Sequence, residues 1–160
     1  MGVSGCGKST VGKALAERLG WDFFDADDFH LAENITKMSA GIPLDDDDRM
    51  PWLVSLHALI SAILNENRHA VLSCSALKER YRKTLLADNP GVLVVHLIGD
   101  YDLIWGRMKN RPDHYMKPDM LKSQFETLEE PPYGLVVDAS LPVDKIVEEV
   151  LAHAARMDDA

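Results

Sequence analysis

The sequence predicts an α/β fold, a mostly parallel sheet covered by helices on both faces. Three observations predict it. Short apolar runs alternate with amphipathic stripes along the chain. A glycine-rich loop opens directly into the first of those stripes. Carboxylates then gather at the carboxyl end of the next strand, the edge where open α/β sheets collect ligands.

The first helix is expected over Lys8–Leu19, where Val11, Leu15 and Leu19 recur at helical spacing and Gly20 stops the turn. A short strand follows over 21–24, then a short helix over 31–38 that Gly41, Ile42 and Pro43 break. Leu53, Leu56, Ile60, Ile63 and Leu64 stripe the next helix, which fades near Asn67. Ala70, Val71 and Leu72 form a buried strand, and 76–86 a helix. The turn at Asn89, Pro90 and Gly91 leads to a strand over 92–97. A helix over 102–110 runs into a polar stretch at 111–118, read as a lid. Another helix reaches Leu128, Leu135 to Val137 make the last strand, and Ile146, Val147, Val150 and Leu151 line a closing amphipathic helix.

The loop Gly2-Val3-Ser4-Gly5-Cys6-Gly7-Lys8-Ser9 satisfies G-x-x-x-x-G-K-[ST] in full. Glycines let the backbone fold around a phosphate and aim successive N–H groups inward, and the helix beginning at Lys8 adds its partial positive end. Such a P-loop binds ATP, with the backbone up to Thr10 around the phosphates. Lys8 is then expected at the β- and γ-phosphates and the Ser9 hydroxyl on Mg²⁺. Cys6 reads as a small loop residue; a thiolate switch at a helix N-terminus is the alternative. In Phe24-Asp25-Ala26-Asp27-Asp28-Phe29-His30 the carboxylates of Asp25 and Asp27 lie two residues apart, so that one can face the metal and the other the substrate. A solvated acidic loop is the alternative reading.

The 160 residues fit a single domain over 1–160, with 46% hydrophobic and 27% charged residues. A net charge of -9 argues against a nucleic-acid surface, which needs clustered Lys and Arg. The apolar run over 92–98 is broken by His96 and too short to span a bilayer. The two cysteines, Cys6 and Cys74, suggest no disulfide framework, and the expected location is cytoplasmic. His57, His69, His96 and His153 share no metal-ligand spacing and read as structural.

The loop G-V-S-G-C-G-K-S-T-V, then W-D-F-F-D-A-D-D-F-H, G-I-P-L-D-D-D-D-R-M-P-W-L, C-S-A-L-K and S-Q-F-E-T-L-E together resemble successive signatures of gluconokinases. The resemblance implies ATP- and Mg²⁺-dependent conversion of D-gluconate to 6-phosphogluconate, a nucleoside-monophosphate-kinase-like fold, and a family whose members are often dimers. On that implication Asp27 accepts the hydroxyl proton and Asp25 holds the metal's water shell. Arg49 takes the gluconate carboxylate, because a guanidinium matches it bidentately. His30, Lys78 and Gln124 are further substrate contacts; for Lys78 a surface lysine, and for Gln124 ordinary helix polarity, are the alternatives. Asp45 to Asp48 read mostly as helix capping before Pro51. Arg107 and Arg111, four apart, stand by the lid, where at least one reaches ATP. The runner-up activity is a related small-molecule kinase such as shikimate kinase. A GTP-dependent switch is disfavoured, because Asn34-Ile35-Thr36-Lys37 is no N-K-x-D element.

A P-loop ordinarily follows a central strand, yet only Met1 precedes Gly2. The expectation is therefore a sheet lacking its first central strand, with a gap of about 10 Å between that strand's neighbours. Met1 is read as an internal methionine with the start upstream, the rival being an inactive fragment, and the 160-residue chain as poorly stable.

Overall fold

The computed structural model describes residues 1–109 and 118–158. Among them the helices are α1 (Lys8–Leu19), α2 (Ala32–Ser39), α3 (Asp46–Asn65), α4 (Glu79–Leu86), α5 (Tyr101–Met108), α6 (Pro118–Thr127) and α7 (Val143–Asp158). The strands are β1 (Asp22–Asp25), β2 (Ala70–Ser73), β3 (Val95–Ile98) and β4 (Leu135–Asp138). β1 pairs in parallel with β2, Asp22 opposite Ala70 and Asp25 opposite Ser73. β3 pairs in parallel with β4, Val95 opposite Leu135 and Ile98 opposite Asp138. The two pairs are separate sheets. Between them lies the start of the chain. The Met1 amine donates to the Val95 carbonyl, Leu97 N–H donates to the Met1 carbonyl at 3.0 Å, and Gly2 N–H donates to the Ser75 carbonyl at 3.3 Å. The expected central gap is thus present among the described residues, bridged by the backbone of Met1 and Gly2.

Each half has its own core. Val3, Leu97, Ile104, Met108, Leu121, Val137 and Ile146 pack beside β3 and β4. Trp52, Leu53, Leu56, Cys74, Tyr81 and Leu85 pack between α3, α4 and the end of β2. Leu53 and Leu56 are fully buried, each contributing about 1.5–3 kcal/mol by leaving water.

The element order matches the expected one, and the differences lie at the ends. α1 stops at Gly20, whose left-handed backbone lets its N–H reach the Ala16 and Glu17 carbonyls. α3 begins well before its apolar stripe, at Asp46. Asp45 accepts from Asp48 N–H, and the Asp48 side chain accepts from Asp45 N–H, a reciprocal capping box. α4 starts at Glu79 instead of near 76, because Ala76 takes a left-handed φ of 43°. β3 starts at Val95 instead of 92, since its partner strand begins only after the turn at Gly134. His96 is buried in β3; His69 stacks on Trp21, and His57 contacts Asn89.

Candidate active site

The phosphate loop is shaped by backbone that only glycine adopts freely. Gly2, Gly5 and Gly7 have φ of 140°, 83° and 101°. A Cβ on Gly5 would lie 2.5 Å from Met108 Cγ, and one on Gly2 would lie 2.6 Å from the Leu97 carbonyl oxygen. At Gly2 and Gly5 the loop therefore nests against β3 and α5 with no room for a side chain. Its far wall is fastened by Gln124, whose Oε1 accepts from Ser4 N–H at 2.7 Å. Lys8 lies back over the loop, Nζ donating to the Val3 carbonyl at 2.9 Å.

Ser9, the second residue of α1, points across to β1 and β2. Its Oγ donates to Asp25 Oδ2 at 2.5 Å and lies 3.4 Å from Ser73 Oγ. The other oxygen of Asp25 accepts from Asp27 N–H at 3.2 Å, which folds the chain into a 3-10 turn over Ala26–Phe29. Asp25 is thereby turned to Ser9, and Asp27 lines the cleft. The cleft walls, and then the charge of Asp25, raise the Asp27 carboxyl above its usual range. Its side chain is 81% accessible, so water softens the effect.

A cleft of about 280 Å³ joins these parts; Ser4, Gly5, Gly7, Lys8, Ser9 and Thr10 form one wall and Asp25, Asp27, Ser73, Cys74 and Ser75 the other. Burial pushes the Cys74 thiol up to about 11, which leaves it unreactive. A second recess of about 170 Å³ lies beyond the loop, between Gly5, Cys6, Gly7, Arg107 and the 139–146 segment. Cys6, 1% exposed, is packed into the core beneath it.

From Asp27 a chain of side chains leads away from the loop. His30 Nε2 is 3.9 Å from Asp27 Oδ1, and the imidazole, 4% exposed, stacks on Trp52 with centroids 4.5 Å apart. Trp52 is locked by its own N–H, which donates to the Ala26 carbonyl at 2.6 Å. Burial lowers the His30 pKa, with Arg49 acting in the same direction and Asp27 opposing. His30 Nδ1 is buried and has no hydrogen-bond partner among the described residues. Arg49, half-buried on α3, makes no ion pair among the described residues. Its guanidinium lies 5.8 Å from the Tyr81 ring centroid, and its Nε donates to the Leu44 carbonyl at 3.4 Å.

Lys78 stands apart from this chain, its Nζ held by Asp46 Oδ1 at 2.9 Å. Arg111 and the lid region at 111–118 fall outside the described residues, apart from Pro118, which opens α6.

Sequence reasoning missed four contributors. Ser73 carries no motif, and Ser75 lies inside C-S-A-L-K without a role of its own assigned to it. Tyr81 and Arg82 sit on α4 with no signal beyond the spacing of Glu79 and Arg82. Arg82, 2% exposed, pairs with Glu79 at 2.8 Å and donates to the Ala76 and Leu77 carbonyls at 2.9 and 3.1 Å. It clamps the segment that walls the cleft and holds Ala76 in its left-handed conformation.

A phosphate loop at the start of a helix, facing carboxylates across a cleft at the strand ends, defines a P-loop kinase. A family model described as shikimate kinase matches residues 4–154. The chain belongs to the gluconokinase family. It is 45% identical over 170 residues to the probable gluconokinase of Rattus norvegicus, covering 95% of this chain and 91% of that protein. It is 43% identical over 155 residues to the thermoresistant gluconokinase of Escherichia coli (strain K12), covering 94% and 89%. The crystal structure of a gluconokinase from Sinorhizobium meliloti 1021 superposes with a TM-score of 0.86 at 46% identity, covering 98% of this chain and 90% of that one. Among the described residues, no helix is long and apolar enough to cross a membrane.

Proposed function

We propose that the protein transfers the γ-phosphoryl group of ATP to D-gluconate, giving 6-phospho-D-gluconate and ADP. The observation that carries this reading is the line of side chains running from the phosphate loop through Asp27 and His30 to Arg49, a guanidinium without a carboxylate partner among the described residues. An acceptor laid along it has a hydroxyl at Asp27 and a carboxylate at Arg49. Arg49 grips the carboxylate, His30 and the polar cleft wall meet the hydroxyls, and Asp27 takes the proton of the attacking hydroxyl. That oxygen forms the new bond to the γ-phosphorus as the bond to the β-phosphate oxygen breaks and ADP leaves. Lys8 turns from the Val3 carbonyl to the transferring group and offsets its charge. Arg107 and the recess beside Gly5 and Gly7 suit the nucleoside end of ATP. Gln124 acts on the loop through Ser4 N–H, so its contribution to substrate binding is indirect.

The donor set at Ser9 and Asp25 consists of hard oxygens alone, which suits Mg²⁺ with phosphate oxygens and water completing its shell. Mg²⁺, when bound, neutralises charge on the phosphates; Ser9 Oγ would ligate it and Asp25 would hold its water. The lid at 111–118 and Arg111 are assigned to closing over the phosphates. We place the enzyme in the cytoplasm, acting on a small molecule without nucleic acid or membrane, as a single domain that is free to form a homodimer.

ADP release measured with gluconate, with shikimate and with no acceptor tests the reading. Gluconate-dependent release is expected. Release that depends on shikimate would transfer the assignment to shikimate kinase, which the family model also describes.

A further inference from the structure

The acceptor end holds more positive charge than one carboxylate needs. Arg49, Lys78 and Arg80 come from α3 and from the start of α4, and all three lie around Tyr81 and Asp46. Of the three, only Arg49 has no acidic partner among the described residues. Asp46 takes the others: Oδ1 accepts from Lys78 Nζ at 2.9 Å, and Oδ2 accepts from Arg80 Nη1 at 2.6 Å. Oδ1 also accepts from the Tyr81 hydroxyl. That bond and the one to Lys78 hold the Asp46 carboxyl below its ordinary range. Burial, and then the Asp46 bond, push the Tyr81 hydroxyl up to about 12, so it stays a donor at every physiological pH. Tyr81 is 5% exposed, and its fixed ring is the surface that faces the Arg49 guanidinium at 5.8 Å. Arg49 is one helical turn from Asp46 on the same helix, so the two ends of this arrangement share a backbone.

We propose that Asp46 and Tyr81 are positioning residues that set the acceptor specificity: they neutralise Lys78 and Arg80 and fix the ring against which Arg49 is presented to a single carboxylate. This rests on the reading of Arg49 given above. Three unneutralised cations side by side would bind di- and trianions without discrimination. With two of them tied to Asp46, one preorganised guanidinium recognises one planar carboxylate. Lys78, a substrate contact by resemblance, acts here as a strap between α3 and α4.

A double-mutant cycle tests this with Asp46→Asn, Tyr81→Phe and Arg49→Met, each alone and each of the first two combined with Arg49→Met. The readouts are KM for gluconate, KM for ATP, kcat and the melting temperature. Asp46→Asn and Tyr81→Phe are each expected to raise KM for gluconate by about fivefold while KM for ATP stays within about twofold, and Arg49→Met by more than either. In the Arg49→Met background both are expected to add less than about twofold, because they act through Arg49. A merely structural role would lower the melting temperature and the active fraction without this split in KM. Additive effects overturn the proposal, as does an unchanged KM for gluconate in both single variants while Arg49→Met raises it. If Arg49→Met itself leaves KM for gluconate unchanged, the reading of Arg49 fails and this inference fails with it.

Discussion

The two ends of the cleft are built in opposite ways. The phosphate end is backbone: three glycines at positive φ, a helix N-terminus and the N–H groups between them, all from the first ten residues. The acceptor end is side chain: His30 from the turn after β1, Trp52, Arg49 and Asp46 from α3, Tyr81 from α4 and Lys78 just before it. The first gains its shape from local sterics and serves a phosphate, which is alike in every substrate of such a kinase. The second gains its shape from three separate elements packed against a buried tryptophan, and under the proposed function it is the end that selects the acceptor. Chemistry is therefore expected to depend steeply on single residues at the phosphate end, and selectivity on shared networks at the acceptor end.

The comparison breaks first if the phosphate end tolerates loss of its cation. Lys8→Ala is expected to abolish measurable transfer, since a tenfold loss of rate needs only about 1.4 kcal/mol and an essential charge contact at the transition state is worth more than that. Its melting curve should not move, because Lys8 lies over the loop and not in the core. More than about a tenth of the activity remaining, on the same criterion, would place the essential charge elsewhere.

Next in size is Asp27→Asn, expected to lower turnover by about a hundredfold, the lower end for a general base. The pH dependence has a definite sign. The cleft walls and then Asp25 raise the folded pKa of Asp27, an effect that water softens at this exposed side chain, so the rise of kcat/KM with pH should lie somewhat above the usual carboxylate range and vanish in the variant. The same shift means that this carboxyl favours the fold below its unfolded pKa and loses that contribution as pH rises through the folded value. Asp27→Asn should consequently melt slightly higher than the parent at pH 7. Unchanged turnover at saturating gluconate would leave Asp27 as a binding contact only.

At the acceptor end, Arg49→Lys is expected to raise KM for gluconate by about tenfold with KM for ATP unchanged, because an ammonium loses the bidentate grip. A rise in KM for ATP instead would assign Arg49 to the nucleotide. The smallest effect sharpens the contrast. Trp52→Phe keeps a ring under His30 but leaves the Ala26 carbonyl without its 2.6 Å partner, a loss of about 1–3 kcal/mol in stability. Its melting temperature and KM for gluconate should both suffer, while KM for ATP should not. Equal effects on both constants would mean that the two ends are one mechanical unit.

Much of this was legible in the chain itself. The alternation of elements, the phosphate loop, the acid pair at Asp25 and Asp27, and the capping of α3 by Asp45 and Asp48 all follow from local rules: periodicity, glycine sterics and unsatisfied helix ends. Each is a preference that residues express within a few positions of one another. The boundaries were less legible, since β3 begins where β4 lets it and α4 begins only past the carbonyls of Ala76 and Leu77, which the buried Arg82 binds. The partner of Lys78 is 32 residues away, and the hydroxyl of Tyr81 finds the same carboxylate across 35. No local rule reaches that far. Sequence alone determined the fold class and the cradle for a phosphate, because backbone conformation is decided by neighbours along the chain. Only the tertiary structure decided which of these cations lacks an acidic partner among the described residues, because that depends on which helices pack together, and long-range packing is where opposite charges meet and cancel.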